Sequence, residues 1–427
     1  MSKSIASVAV IGGGTMGSGI AAASAAAGFP VLLIERDEAA AAKARDRVLA
    51  AAHDDAERQA IAAKLTLATS LDGIAAYDWI CEAIIEDLDA KRDLLARVEP
   101  LRRDGSVVST NTSGIPLATL TAGLPQRLRQ DIAVTHFFNP VRVMRLLEIV
   151  PDADTSPDAV AALADFGRHT LGKGVVHAKD TVNFIANRIG CFWMLAGLHR
   201  AIAHLEQGLG IEDIDAALSA PVGLPNTGLF GLIDLIGLDV MNYVGANLAR
   251  NLPAGDAGLG FTAFPAEVQT LLERRQLGRK TGGGFYRVLK NGDGSKRKEA
   301  FDLLGGQWRP ARAVATASVD LLADDSRGRL AWELLGETLL YAADLVPQIA
   351  DDIVNIDRAL RWGFAWQRGP FEFLDHLGPE RVIAKLRTAG RPLPALLTIL
   401  EKSGAERFYR GDTYLGVDGR YHPIPVE

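Results

Sequence analysis

Residues 12–17 read Gly12-Gly13-Gly14-Thr15-Met16-Gly17, directly after an apolar run at 7–11 and directly before an alanine-rich run at 18–27. No other feature restricts the chain as much. A glycine turn of this spacing between a strand and a helix predicts a dinucleotide-binding βαβ unit. Gly12 allows the tight turn, Gly14 lets the backbone approach a pyrophosphate, and Gly17 permits close packing of helix on strand. The N-terminus of the following helix supplies free N–H groups and a positive dipole end to the phosphates, with Thr15 and Met16 in the turn before it. The next apolar run, 31–34, ends on Glu35, 23 positions after Gly12. A carboxylate there accepts hydrogen bonds from ribose hydroxyls and repels a 2′-phosphate, so NAD is expected rather than NADP. Arg36 tempers that preference, and a tight turn in a flavodoxin-like sheet is the rival for the glycines themselves.

Further strands are predicted at 79–82, 107–110, 132–136 and 146–150, with helical patterns between them. That alternation implies a mainly parallel, doubly wound α/β sheet over residues 1–182. After Asp180 the texture changes. Residues 183–287 read as helices, 288–323 as a turn-rich linker with one hairpin, and 324–427 as a second helical set with a short polar tail from Phe408. The helical part repeats itself. Ile214-Asp215-Ala-Ala-Leu218 matches Ile356-Asp357-Arg-Ala-Leu360, 142 positions on, and Leu232-Ile-Asp234-Leu-Ile-Gly237 matches Phe373-Leu-Asp375-His-Leu-Gly378, 141 positions on. A duplicated helical unit can pack as a pseudo-symmetric pair within one chain, which is compatible with a monomer or a homodimer.

Composition narrows the function classes. The 427 residues carry 46 Lys+Arg against 52 Asp+Glu, a net charge of −6, so no basic footprint for nucleic acid is present. Cys81 and Cys191, both in apolar stretches, are too few for a disulfide scaffold or a cysteine-built metal site, and no metal is expected. No run of about 18 apolar residues suggests a membrane span. A strand begins almost at once, which leaves no room for a signal or transit peptide, and a cytoplasmic setting is expected.

His136 lies at the C-terminal end of a predicted strand, where doubly wound folds place their ligands. Glu148 follows twelve positions later among apolar residues, where a carboxylate is costly to bury unless paired. A histidine would pair with it and have its tautomer fixed; an ordinary buried histidine beside an edge glutamate is the alternative. Asn111-Thr112-Ser113-Gly114 forms a small polar loop after another strand, suited to placing hydroxyls near a nicotinamide or simply to capping a turn. Asn187 interrupts an apolar helical run, a mid-helix position that its propensity disfavours; surface exposure would explain it equally well.

Together these residues carry a family resemblance. The chain resembles the L-3-hydroxyacyl-CoA dehydrogenase family over nearly its whole length. The matching stretches are GGGTMG at 12–17, EAIIEDLDAK at 82–91, NTSG at 111–114 and HFFNP at 136–140. They continue with LLEIV at 146–150, KDTVNFIANR at 179–188 and RKTGGGFY at 279–286. The second helical set, with RWGFAWQRGPFEFLDHLG at 361–378, looks like the duplicated C-terminal domain of bacterial multifunctional fatty-oxidation proteins, without the hydratase domain that follows there. The resemblance implies a Rossmann-type domain joined to helical domains, with the active site in the cleft between them. It implies NAD as cofactor, an acyl-CoA substrate and separate hydratase and thiolase partners. His136 would be the general base, Glu148 its orienting carboxylate, and Ser113 and Asn187 hydrogen-bonding groups near the reacting oxygen. Glu86, Lys91, Asn111, Ser113, Asn139 and Lys280 would line the cofactor.

Two departures stand out. Single-function relatives carry a long basic helical pair that grips CoA, whereas residues 38–66 here hold five basic and five acidic side chains. Lys43 and Arg47, four apart on one helix face, are the candidates for a phosphate contact. That weakness keeps a dehydrogenase of a hydroxy acid without CoA as the alternative, and a nucleotide-binding protein without turnover as a third reading. The first helical repeat also has Asn226-Thr-Gly-Leu-Phe230 where the second keeps Gly369-Pro370-Phe371.

Overall fold

The computed structural model describes residues 3–290 and 292–427 and divides into two units. The first runs to Ile185 and takes in 348–351 and 425–427; the second holds the remainder. In the first unit the chain passes through β1 (Val8–Ile11), α1 (Thr15–Ala26), β2 (Val31–Ile34), α2 (Glu38–Ala50), α3 (Asp55–Lys64) and β3 (Leu65–Ala68). It continues through β4 (Trp79–Glu82), α4 (Leu88–Val98), β5 (Val107–Thr110), α5 (Leu117–Thr121), α6 (Gln126–Asp131) and β6 (Ile132–Phe137). The last elements of the unit are β7 (Leu146–Val150), α7 (Pro157–Asp165) and β8 (Gly174–His177).

The sheet has eight strands in the order β3-β2-β1-β4-β5-β6-β7-β8. All neighbouring pairs are parallel except β6–β7. The inner strands are continuous apolar runs, VAVI in β1 and VLLI in β2, buried at every position as strands covered on both faces must be. The sheet thus has two strands beyond the six expected, and both are edges. β3, LTLA, continues straight from α3 and is only half-buried, so its alternation is blurred. β8, GVVH, is four residues long and starts on a glycine. Cys81 in β4 is buried without a disulfide, and that burial pushes its thiol up to about 12.

The second unit opens with α8 (Ala186–Glu206), 21 residues buried on nearly every side, the signature of a helix wrapped by others. Then come α9 (Ile211–Ala217), α10 (Gly228–Ile236), α11 (Leu238–Asn251), α12 (Ala266–Glu273), β9 (Tyr286–Lys290), β10 (Lys296–Asp302) and β11 (Gln307–Pro310). The second set is α13 (Ser326–Ala331), α14 (Glu337–Asp344), α15 (Ile353–Gly363), α16 (Pro370–Leu377), α17 (Pro379–Thr388) and α18 (Ala395–Ser403). It ends in β12 (Tyr409–Arg410), β13 (Thr413–Leu415) and β14 (Tyr421–Pro423). No single helix among the described residues is long and apolar enough to cross a membrane.

The repeat seen in the sequence is a repeated hydrogen-bonded lock. Asp215 accepts from the amides of Phe230 and Gly231 and from the Tyr286 hydroxyl, each at 2.8–3.1 Å. Asp357 accepts from the amides of Phe371 and Glu372 and from the Tyr409 hydroxyl, at 2.8–3.0 Å. Asp234 holds the amides of Phe285 and Tyr286 as Asp375 holds those of Phe408 and Tyr409. Each lock ends in a three-stranded antiparallel sheet, β11-β10-β9 and β12-β13-β14. The expected linker with one hairpin therefore has a third strand, and the tail after Phe408 is a small sheet. These strands are short and mostly exposed, so they leave little apolar pattern to read.

The lock also explains the turn that differs between the repeats. Gly228 and Gly369 occupy the same place, and a Cβ on either would run into Asp215 or Asp357 respectively. The glycine is kept in both copies; the swap is Pro370 for Leu229, and proline is well suited to the first turn of a helix.

Candidate active site

The glycine turn is built as the spacing requires. Gly12 has φ +100°, and a Cβ there would meet the Ala83 carbonyl oxygen at 2.6 Å. A Cβ on Gly17 would fall on the Gly12 carbonyl oxygen. Gly14 has nothing within 4 Å of its Cβ position, so its open side can admit a ligand. Gly14 begins α1 without a side-chain cap. Both backbone groups of Gly13 are held. Glu35 Oε1 accepts from its amide at 2.7 Å, and Ser18 Oγ and Arg47 Nη1 donate to its carbonyl at 2.8 and 2.9 Å. Thus Arg47, expected at a CoA phosphate, braces the glycine turn, while Lys43 on α2 is exposed. Arg36 is exposed and paired with Asp37 at 3.2 Å. An open Gly14, an uncapped helix end and a carboxylate at the end of β2 fit a dinucleotide with a free 2′-hydroxyl.

Beside this turn, at the ends of β4 and β5, lies a chain of polar groups. Glu86 accepts from Thr112 Oγ1 at 2.6 Å, the Ser113 amide at 2.8 Å, Ser113 Oγ at 3.3 Å and the Gly114 amide at 3.1 Å. Burial alone would raise the Glu86 carboxyl, but the Lys91 charge and these hydrogen bonds outweigh it and hold it below the usual range. Lys91 is buried with its Nζ 2.7 and 2.9 Å from the two Glu82 oxygens and 3.4 Å from Glu86. Asn111 Oδ1 accepts from the Phe137 amide at 3.0 Å, which ties the polar loop to β6. Ser113 and Asn139 are exposed.

The antiparallel β6–β7 pair sets His136 directly opposite Glu148. His136 Nδ1 lies 2.6 Å from Glu148 Oε2, with side chains 5% and 0% exposed. The other carboxylate oxygen accepts from the Ile185 amide at 3.1 Å. With Nδ1–H given to the carboxylate, Nε2 keeps its lone pair and can accept a proton. The His136 ring is framed by Phe138 at 4.5 Å and Phe184 at 5.6 Å. Phe184 and Asn183 have φ of +52° and +60°, a backbone conformation that costs a non-glycine residue on the order of 1–3 kcal/mol. That turn places Phe184 on the imidazole and the Ile185 amide on Glu148.

Three functional neighbours escaped the sequence. Glu82 closes the predicted strand 79–82, and Phe184 and Ile185 lie within the matched stretch 179–188 without being singled out; a glutamate closing an otherwise apolar strand was the one available signal. Asn187 is not mid-helix but in the first turn of α8, and the Arg188 beside it is buried against the Tyr341 hydroxyl at 2.6 Å and the Asp256 carboxylate. Lys280, also in the helical unit, pairs with Asp239.

A doubly wound nucleotide fold with a buried histidine–carboxylate pair, followed by helices, defines a class of NAD-binding dehydrogenase architecture. The chain belongs to the 3-hydroxyacyl-CoA dehydrogenase family: its NAD binding domain matches residues 7–181 and its C-terminal domain matches 184–288. A probable 3-hydroxyacyl-CoA dehydrogenase of Bacillus subtilis is 34% identical over 99% of this chain and 58% of its own length. A protein of Rickettsia felis, whose description names a fatty acid oxidation complex trifunctional enzyme, is 34% identical over 88% of this chain and 53% of its own length. The chain thus spans little more than half of these two relatives. The crystal structure of 3-hydroxybutyryl-CoA dehydrogenase from Escherichia coli superposes with a TM-score of 0.73 at 25% identity, covering 94% of this chain and 99% of that one.

Proposed function

We propose that the protein catalyses the reversible NAD-dependent oxidation of an L-3-hydroxyacyl-CoA to a 3-ketoacyl-CoA, as in fatty-acid β-oxidation. The observation that carries this is the His136 Nδ1–Glu148 Oε2 contact of 2.6 Å, made across β6–β7 in a chain of this family. Bound NAD supplies the hydride acceptor. His136 Nε2 takes the proton of the 3-hydroxyl, and Glu148 holds the ring in one tautomer and stabilises it once charged. In the reverse direction His136 protonates the ketone oxygen. Ser113 and Asn187 donate hydrogen bonds to the reacting oxygen and orient it. Gly12, Gly14, Thr15, Met16 and Gly17 cradle the pyrophosphate, and Glu35 takes the ribose. Glu86, Lys91, Asn111, Asn139 and Lys280 complete the cofactor surround, Lys91 acting from within its buried ion pair. By the chemistry of the reaction, a hydratase supplies the 3-hydroxyacyl thioester by adding water to an enoyl thioester, and a thiolase consumes the 3-keto product. A cytoplasmic setting is in keeping with the buried thiols of Cys81 and Cys191.

One observation favours a second reading. Arg47 is committed to the Gly13 carbonyl, which leaves Lys43 alone of the expected pair for CoA. Turnover of a hydroxy acid without CoA would follow from that. The test is NADH oxidation on addition of acetoacetyl-CoA, with free acetoacetate and NADPH in parallel. Turnover with the thioester and NADH alone supports the first reading. Turnover with the free acid at equal efficiency overturns it in favour of the second.

A further inference from the structure

We propose that Glu82 is a positioning residue for Ser113, acting through Lys91 and Glu86. Glu82 ends β4 with both oxygens engaged: Oε1 accepts from the Ile84 amide and Lys91 Nζ at 2.7 Å each, and Oε2 from Lys91 Nζ at 2.9 Å and from Thr110 Oγ1. The Glu82 and Lys91 side chains are each 1% exposed. An ammonium this deeply buried is tolerable only with its charge and donors matched, and Glu82 supplies most of that match. The remaining pull of Lys91 falls on Glu86, 3.4 Å away. Glu86 in turn holds the amides of Ser113 and Gly114 and the Thr112 hydroxyl. Ser113 itself is exposed, on a loop of small polar residues. The loop is therefore held by a carboxylate whose own place depends on a lysine shared between two anions. Take the charge from Glu82 and Lys91 is drawn wholly to Glu86, which must then give up part of its hold on the two loop amides.

This extends the role proposed above for Ser113, so the test has one arm that needs no turnover. In Glu82→Gln, amide exchange at Ser113 and Gly114 quickens by about tenfold, while β5 and β6 keep their protection. In the same variant kcat with acetoacetyl-CoA falls about tenfold, because a displaced orienting group costs rate, and the Kd for NADH weakens as well, since Lys91 and Glu86 also line the cofactor. Glu82→Gln in a Ser113→Ala background loses no further kcat, as expected if the first acts through the second. Thr110→Val, which removes one donor from Glu82, shows the same pattern more weakly and serves if Glu82→Gln does not fold. Unchanged exchange at Ser113 and Gly114 overturns the proposal. So does additivity of the two kcat losses, which would mark Glu82 as merely structural. If the wild type turns over no thioester but the exchange arm responds, the relay stands and the CoA-ester reading falls.

Discussion

Gly14 and Gly17 of the nucleotide turn have opposite surroundings, and alanine substitution separates binding from folding. Gly14 has φ −67° and ψ −168°, accessible to any L-residue, and open space where a methyl would go. In Gly14→Ala the stiffer unfolded chain favours folding by about 0.4–1 kcal/mol, and alanine's weaker capping of α1 takes back a similar amount. Net stability therefore changes by less than about 1 kcal/mol. The added methyl occupies the space through which a pyrophosphate reaches the helix amides, so NADH affinity falls at least about tenfold, or about 1.4 kcal/mol. Gly17 is the reverse case. Its Cβ would lie 1.8 Å from the Gly12 carbonyl oxygen and 3.3 Å from the Ala83 Cβ, and backbone atoms cannot swing aside. Overpacking of this kind costs about 1–3 kcal/mol, which lowers Tm by roughly 3–10 °C for a unit of this size. Differential scanning calorimetry and NADH fluorescence titration on both variants read the two effects. Wild-type NADH affinity in Gly14→Ala, or a wild-type Tm in Gly17→Ala, would refute the account of the turn.

Two further outcomes are expected. His136→Gln should lose about two to four orders of magnitude in kcat while binding NADH normally, and Glu148→Gln should fall in the same direction by at least about tenfold; near-normal turnover in steady-state assays would remove the dyad from the mechanism. Burial pushes the Asp215 carboxyl up to about 7, above its ordinary 3.8, so the folded state binds the proton more tightly than the unfolded chain. The associated stability is complete below about pH 4 and is lost as pH rises through 7, by about 2–4 kcal/mol; Asp215→Asn should flatten the decline of Tm between pH 5 and 8, and an unchanged slope would exclude Asp215 as its source.

The glycine turn, Glu35 and the His136–Glu148 pair were legible because each depends on local spacing: a tight turn needs its glycines, and residues twelve apart across a short connection can face each other in adjacent strands. Arg47 was not legible, since nothing in a helix sequence tells which phosphate or carbonyl a long side chain will reach. Glu82 and Arg188 were hidden for a related reason. Both are charged groups in apolar surroundings whose partners, Lys91 and Tyr341, are 9 and 153 residues away. The duplication was visible in its helices but not in its small sheets, where the only shared feature is a Phe-Tyr pair presented to an aspartate.

That aspartate lock leaves chain length between its ends unconstrained. From Asp215 the Tyr286 hydroxyl is 71 residues away, and from Asp357 the Tyr409 hydroxyl is 52. Closing the longer loop costs only about 0.3 kcal/mol more than closing the shorter, because closure entropy grows with the logarithm of length. In closure entropy, lengthening an exposed turn of this interval is thus cheap, whereas a single methyl on Gly228 or Gly369 meets an aspartate of the lock. The two copies could drift apart in length while remaining one kind of clasp, and a foreign segment spliced between α11 and β9 would find its ends already held.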